Sequence, residues 1–345
     1  MSGSLKALTP GAGGALVPAN TTEIANQSEP TAVGVGLTKI TNGVILPLEV
    51  GALHIVEKSL EALTGGRVVF PALAALPTPV ALNRPLLLIP GLNMEASSME
   101  PIAKHFASAA PGNATAIYST KDGAFHRKDA RNPAITSDKE LKGIKPITMA
   151  FGNPQATVKE KAAQIEAALE AIYERYGQTI HVAAHSQGNE AFLVALLNRA
   201  RAGKPAIIES FTDIGGVDNG TALGAVGAKI GGIAGVKESG AEVAFDGAVI
   251  KEIHDNMDLI RSQIRGTVHN VAYAGGPTMG SDGKFGIGDG FTTVKDQGMP
   301  WGDKEVLTVP DPTPTLHLVE VALPGSVAAV QATIVKDEAR ISGDR

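Results

Sequence analysis

Between residues 84 and 276 the apolar positions of this chain change rhythm repeatedly, from short unbroken runs to steps of three and four. RPLLLIPG (84–91) is an apolar run stopped by Pro-Gly and predicts a buried strand. ATAIYST (114–120) predicts a second strand. Between them, Ser97 and Glu100 have the spacing of a capping box, which predicts a helix running towards Ala110. Residues 121–154 are polar and irregular and predict an excursion from the core. Thr157 and Glu160 form a second capping box. Behind it Val158, Ala162, Ile165, Leu169, Ile172 and Tyr176 share one helical face until Gly177 ends the pattern. A strand at 180–184, a helix closed by Gly203 and Pro205, and strands within 206–216 and 267–276 follow.

Strand and helix alternate with short connections, which predicts a mostly parallel sheet covered by helices on both faces. In such sheets ligands bind beyond the carboxyl ends of the strands. Residues 1–42 are rich in Gly, Ala, Ser, Thr and Asn and show no apolar period. They predict a tail, or alternatively an uncleaved export signal. Residues 47–63 predict a helix with Pro47 in its first turn and Gly65-Gly66 as its stop. The expected division is an N-terminal extension at 1–66 and one domain at 67–345.

Composition removes several classes of function. With 43% hydrophobic and 19% charged residues, the 345-residue chain has the make-up of a globular protein. A net charge of -5 offers no basic footprint, so no nucleic acid partner is expected. The lack of cysteine excludes disulfides, thiolate metal sites and a cysteine nucleophile. The most apolar long segment, VILPLEVGALHIVEKSL, is interrupted by Pro47, Glu49, His54 and Glu57, so any membrane-surface contact is expected to be peripheral. The start MSGSLKALTPGAGG lacks the features of a secretory signal. The expected location is the cytoplasm, or export without a cleavable signal peptide.

One serine stands where the strand at 180–184 meets its helix. Ser186 has Ala184 two positions before it and Gly188 two positions after, the small neighbours that a sharp strand-to-helix turn requires. Such a turn exposes the hydroxyl and aims the N–H groups of the helix start at it. A plain serine N-cap has the same local pattern.

AHSQG resembles the Gly-x-Ser-x-Gly elbow of the α/β-hydrolase superfamily, in the alanine-first variant found in some bacterial lipases. LLLIPGLN is similar to the family's oxyanion-hole strand end, with Pro90 where histidine is commoner. The resemblance implies an α/β-hydrolase fold with Ser186 as nucleophile. It also implies the backbone amides of Leu92 and Gln187 as the oxyanion hole, with Asn93 as a further donor or an ordinary turn residue. The segment at 214–224 looks like the lipase Gly-x-Pro-His-x-Gly segment but lacks the Pro-His pair.

The family's chain order is Ser, then acid, then His. His254, His269 and His317 follow Ser186 at a distance, whereas His185 is adjacent and is expected to face elsewhere on the turn. His269 falls in a strand pattern and His254 on a polar helical face. His317, in PTPTLHLVEV, is expected in a proline-rich loop before the terminal helix, and His-Leu-x-Glu-Val is similar to some bacterial lipases. The resemblance implies His317 as the base. Asp289, in GDGFTTV, resembles the family's Asp-Gly-x-Val pattern and is the favoured acid. Asp282 and Asp218 are alternatives and Asp213 an outsider; each also suits a turn beside glycine.

Residues 220–264 form an insertion that opens with a glycine-rich stretch, and the resemblance makes it a lid over an apolar pocket rather than a packed loop. No phosphate-binding glycine loop or metal-ligand spacing is visible, so no cofactor and no metal is expected. The implied activity is cleavage of a carboxylic ester, lipase- or phospholipase-like, on a small-molecule or lipid substrate. Two alternatives stand beside it. One is a secreted lipid-attacking effector with the same chemistry, and the other a non-catalytic binding protein on a hydrolase fold.

Overall fold

The computed structural model describes residues 67–69, 75–110, 112–127, 132–222, 241–245, 247–309 and 315–343. The tail at 1–42, the helix expected at 47–63 and most of the glycine-rich stretch of the insertion lie outside the described residues.

The first half contains β1 (Arg67–Val69), β2 (Leu86–Ile89), α1 (Glu100–Ala107), β3 (Ala116–Ser119) and β4 (Ala124–Arg127). It continues with α2 (Asp138–Lys142), β5 (Pro146–Ala150), α3 (Val158–Tyr176), β6 (Ile180–His185) and α4 (Gln187–Arg201). The second half holds β7 (Ile208–Ile214), α5 (Ala248–Asp255), α6 (Met257–Arg261) and β8 (Val268–Ala274). A hairpin of β9 (Gly276–Met279) and β10 (Phe285–Gly288) follows, then β11 (Asp303–Thr308), α7 (Thr315–Val319) and α8 (Pro324–Gly343).

Nine strands form one sheet in the order β1-β11-β8-β7-β6-β2-β5-β3-β4. Every neighbouring pair is parallel except β3 with β4. After β2 the chain builds the sheet to one side, through β3, β4 and β5. After β6 it builds to the other side, through β7, β8 and β11. The reversal falls between β2 and β6, and the carboxyl ends at such a boundary are the position where sheets of this kind bind ligands.

Side-chain alternation splits the core into two layers. Leu87 and Ile89 of β2 pack in the layer that holds Ile165 and Leu169 of α3 and Phe192 of α4. Leu86 and Leu88 face the opposite layer, with Ile102 and Phe106 of α1 and Val327, Val330 and Ile334 of α8. Because β2 is buried on both faces, its sequence reads as one continuous apolar run.

The helix signals fared unequally. At α3 both halves of the capping box form: Thr157 Oγ1 accepts the Glu160 N–H at 3.2 Å, and Glu160 Oε2 accepts the Thr157 N–H at 2.9 Å. Gly177 closes that helix with φ 64°, a left-handed conformation that glycine adopts without strain. The box at Ser97 does not form. Residues Ala96–Met99 make a 3-10 turn in which Ser98 Oγ donates to the Glu95 carbonyl, and α1 begins only at Glu100 with Pro101 in its first turn.

The polar excursion expected at 121–154 is also corrected, because it contributes β4, α2 and the interior strand β5. β5 is five residues long, opens on Pro146 and carries Thr148 between Ile147 and Met149, so its apolar signal is short and broken. β11 was not foreseen either; Asp303, Lys304 and Glu305 mask the apolar half of the strand.

The capping box gives a stability prediction. Thr157→Ala should cost about 1 kcal/mol, read as a lower urea midpoint at unchanged slope.

Candidate active site

Ser186 sits between β6 and α4 with φ 51° and ψ −135°, a conformation that side-chain-bearing residues rarely adopt. Strain of this kind costs of order 1–3 kcal/mol and persists only where the surroundings enforce it. The Ser186 N–H donates to the Ile214 carbonyl at 3.1 Å, and the Ser186 carbonyl accepts the Asn189 N–H at 2.8 Å. Asn189 Nδ2 also reaches the Ile214 carbonyl, at 3.3 Å. Glycines let the pieces close on each other. A Cβ on Gly188 would lie 2.7 Å from the Pro90 carbonyl, and one on Gly91 would lie 3.0 Å from Ser186 Cβ.

The turn presents the hydroxyl to an imidazole from a distant part of the chain. Ser186 Oγ lies 2.7 Å from His317 Nε2, and His317 Nδ1 lies 2.8 Å from Asp289 Oδ2. The other Asp289 oxygen accepts the backbone N–H groups of Phe291 and Thr292, at 2.7 and 2.8 Å, which fixes the carboxylate. The Phe291 ring stacks on His317 with centroids 4.6 Å apart. His317 and Asp289 are both buried. The structure therefore joins the three residues named from the sequence in one line of hydrogen bonds. It differs on one point: His317 is on the short helix α7, not in a loop.

Two neighbours of His317 were not anticipated. The Glu320 Oε2 atom lies 3.3 Å from His317 Nδ1 and 3.2 Å from His185 Nε2, and Glu320 is fully buried. Gly215, at φ 53°, makes room for it; a Cβ there would collide with the Glu320 carboxyl. His185 does not face away as expected, since its ring lies 4.9 Å from that of His317. The i, i+3 spacing of His317 and Glu320 was the available signal for the second carboxyl. Nothing in the sequence placed His185 beside His317.

Electrostatics follow from burial and these contacts. Burial opposes a charge on His317, but Asp289 and Glu320 outweigh it and hold its pKa well above the ordinary histidine value. Burial, and then the His317 charge, push His185 well below that value. Burial also raises Glu320 well above the usual carboxyl range, with His317 opposing and Asp289 adding to the shift. His185, His317 and Glu320 have metal-ligating atoms that all lie within 4.8 Å of one another. Those atoms are engaged in the hydrogen bonds just described.

The other carboxylates considered from the sequence lie elsewhere. Asp282 is exposed, accepts the Lys284 N–H at 3.0 Å in the hairpin turn, and faces Lys295 at 3.9 Å. Asp218 and Asp213 are both buried and lie close together, with Glu190 nearby. Burial raises Asp213 well above its usual value, and the Asp218 charge adds to the shift. Asp218 Oδ2 accepts the Gly298 N–H at 3.0 Å. His254 reaches the Asp218 carbonyl at 2.9 Å, and His269 contacts Thr333 Oγ1 at 3.1 Å. Asn93 has a turn role: at φ 56° its N–H donates to the Pro154 carbonyl at 2.9 Å.

Leu92 follows Gly91 at the end of β2, and Gln187 is the first residue of α4. Among the described residues no backbone carbonyl accepts the Leu92 N–H. The arrangement can take a proton from the Ser186 hydroxyl as the oxygen attacks, and can hold the resulting charge on the imidazole against buried carboxyl groups.

No family profile matches the sequence, and no curated protein matches it significantly. Among solved structures, the product of gene lin2722 from Listeria innocua superposes with a TM-score of 0.50 at 16% identity, covering 73% of this chain and 93% of that one. The mature Bacillus licheniformis lipase BlEst2 aligns with a TM-score of 0.49 at 15% identity, covering 75% and 95%. The metagenomic carboxyl esterase MGS0156 aligns with a TM-score of 0.44 at 13% identity, covering 76% and 79%. At such identity the likeness extends to the fold and no further. That fold is the α/β-hydrolase fold, with a mostly parallel central sheet flanked by helices.

Glu320 supplies a test of the site's electrostatics. Glu320→Gln removes a carboxyl that favours the imidazolium, so the His317 ring-proton resonance should titrate at lower pH in the variant than in the wild type. An unchanged NMR titration would mean that Asp289 alone sets the His317 charge.

Proposed function

We propose that this chain is a serine hydrolase that cleaves carboxylic esters. The observation that carries the reading is the hydrogen-bonded line from Ser186 Oγ through His317 to Asp289, beginning at a half-buried serine with a strained backbone. In the reaction, Ser186 Oγ attacks the ester carbonyl while His317 Nε2 takes its proton. Asp289 holds the Nδ1–H and so fixes the tautomer. The Leu92 and Gln187 amides receive the developing oxyanion. The alcohol leaves with the proton from His317, and water then releases the acid from the acyl-enzyme by the same steps in reverse.

The substrate class in this reading is a lipid ester. Its support is the hairpin that leads directly into Asp289. Met279 and Phe285 are cross-strand partners, Ile287 and Pro277 are the next pair on the same face, and all four are exposed. Phe285 is 73% exposed. Adjacent apolar side chains left in water mark a contact surface, and beside a hydrolytic site they suit a lipid interface. Leu318, next to the proposed base, is exposed as well.

Three outcomes are expected. A fluorophosphonate should label Ser186 in the wild type and not in Ser186→Ala, and that variant should lose at least about 1000-fold in p-nitrophenyl butyrate turnover with its Tm preserved. Absence of labelling on folded protein would favour a binding protein on the same fold. Phe285→Asp should depress turnover of phospholipid vesicles or emulsified triglyceride while leaving the soluble ester within about twofold. Equal losses on both substrate forms would separate the hairpin from substrate delivery.

A further inference from the structure

Lys161 is the most deeply buried cation near the serine. It lies on the first turns of α3 and is fully enclosed. Its Nζ donates to the Gly91 carbonyl at 3.2 Å and to Gln187 Oε1 at 3.0 Å, and lies 5.0 Å from the centre of the Phe151 ring. Among the described residues no carboxylate makes an ion pair with it. An ammonium left in the interior without a counter-ion is costly. Burial draws its pKa from 10.5 down to about 7, with Glu190 opposing. A methionine would fill the same space at no such cost, so the charge calls for a role other than packing.

Its two partners supply one. The Gly91 carbonyl and the Leu92 N–H belong to the same peptide unit. In a planar trans peptide these two groups point in opposite directions, and the chain contains no cis bond among its described residues. Gripping the carbonyl from the α3 side therefore fixes the direction of the Leu92 N–H on the other side. The second partner, Gln187, carries the other N–H of the proposed oxyanion hole. Gly91 and Gln187 come from chain segments almost a hundred residues apart, and Lys161 touches both.

We propose that Lys161 is a positioning residue that clamps the two halves of the oxyanion hole, holding the Gly91–Leu92 peptide and Gln187 in register before substrate arrives. This rests on the ester-hydrolase reading above. Preset N–H donors stabilise a developing oxyanion because they need no reorganisation at the moment of reaction, and that advantage depends on their being held in place. Lys161 does not touch the reacting atoms. Its effect is carried by the two backbone amides, which side-chain substitution at Leu92 or Gln187 cannot remove.

The test compares wild type with Lys161→Met, which keeps the length of the side chain and removes the donor. On p-nitrophenyl butyrate, kcat should fall about 100-fold while KM stays within about twofold, because the clamp acts on the transition state. The affinity of a trifluoromethyl ketone, which forms a tetrahedral oxyanion on Ser186, should fall by the same factor as kcat/KM. Melting temperature should hold or rise. Lys161→Gln, whose amide keeps one donor near Gly91, should fall between the two, and it carries the comparison if the methionine variant does not fold. A folded variant with kcat near that of wild type, or with weakened turnover but unchanged trifluoromethyl ketone affinity, overturns the clamp alone. A wild type inert towards both the ester and fluorophosphonate overturns the hydrolase reading, and the clamp with it.

Discussion

The conformation of one residue organises the rest of this molecule. Ser186 is held at φ 51°, where a serine does not rest by preference, so everything around it works to keep it there. The Ile214 carbonyl takes its N–H, the Asn189 N–H takes its carbonyl, and Gly188 allows α4 to seat against the end of β2. The same closeness brings Gly91, and with it the Leu92 amide, against the serine. Strain at the turn, the glycines, and the side-by-side placement of β2 and β6 are one arrangement seen from three directions. The sheet reverses its direction of growth at that boundary, which leaves the serine open to an approaching ligand while its backbone stays buried.

Around that point the protein gathers ionisable groups in an almost dry setting. His317 faces two carboxyls, and His185 lies behind one of them. Burial works against a charge on His185 and on Glu320 alike, while the His317 imidazolium opposes the shift of Glu320. Asp213 and Asp218 form a second buried acid pair at the end of the neighbouring strand β7, and burial raises the pKa of both. Asp289 is the well-satisfied member, with two backbone N–H groups and His317 on its oxygens, whereas both Asp213 oxygens and one oxygen each of Asp218, Glu190 and Glu320 are buried without a hydrogen-bond partner among the described residues.

Much of this was legible in the chain, for identifiable reasons. β2 is buried on both faces and carries an unbroken apolar run, and β6 is nearly as clear, with His181 the one polar residue before His185. α3 announces both of its ends, with Thr157 and Glu160 at one and Gly177 at the other. The residues of the line Ser186, His317 and Asp289 were readable because each lies near glycine or within a short run that resembles the motifs of the α/β-hydrolase fold. What escaped depends on packing between distant segments. β5 is interior yet short and interrupted by Thr148, and β11 begins with three charged residues. Ser97 has the spacing of a cap but no helix start to serve, because the 3-10 turn displaces that start to Glu100. Lys161 reads as one more polar position of an amphipathic helix. Only the fold shows that this position points inward, towards Gly91 and Gln187.

The three residues of the hydrogen-bonded line are far apart along the chain, and the order in which they are made has a consequence. Residue 201 completes the sequence of the turn and its helix, yet the imidazole that meets the Ser186 hydroxyl lies more than a hundred residues further along the chain. Leu316 of α7 packs in one layer with Val271 and Tyr273 of β8, Leu307 of β11 and Val327 of α8. A chain cut before α7 therefore holds the strained serine without its imidazole partner. The hydrogen-bonded line is therefore a property of the whole chain, closed only when its last quarter has joined the sheet.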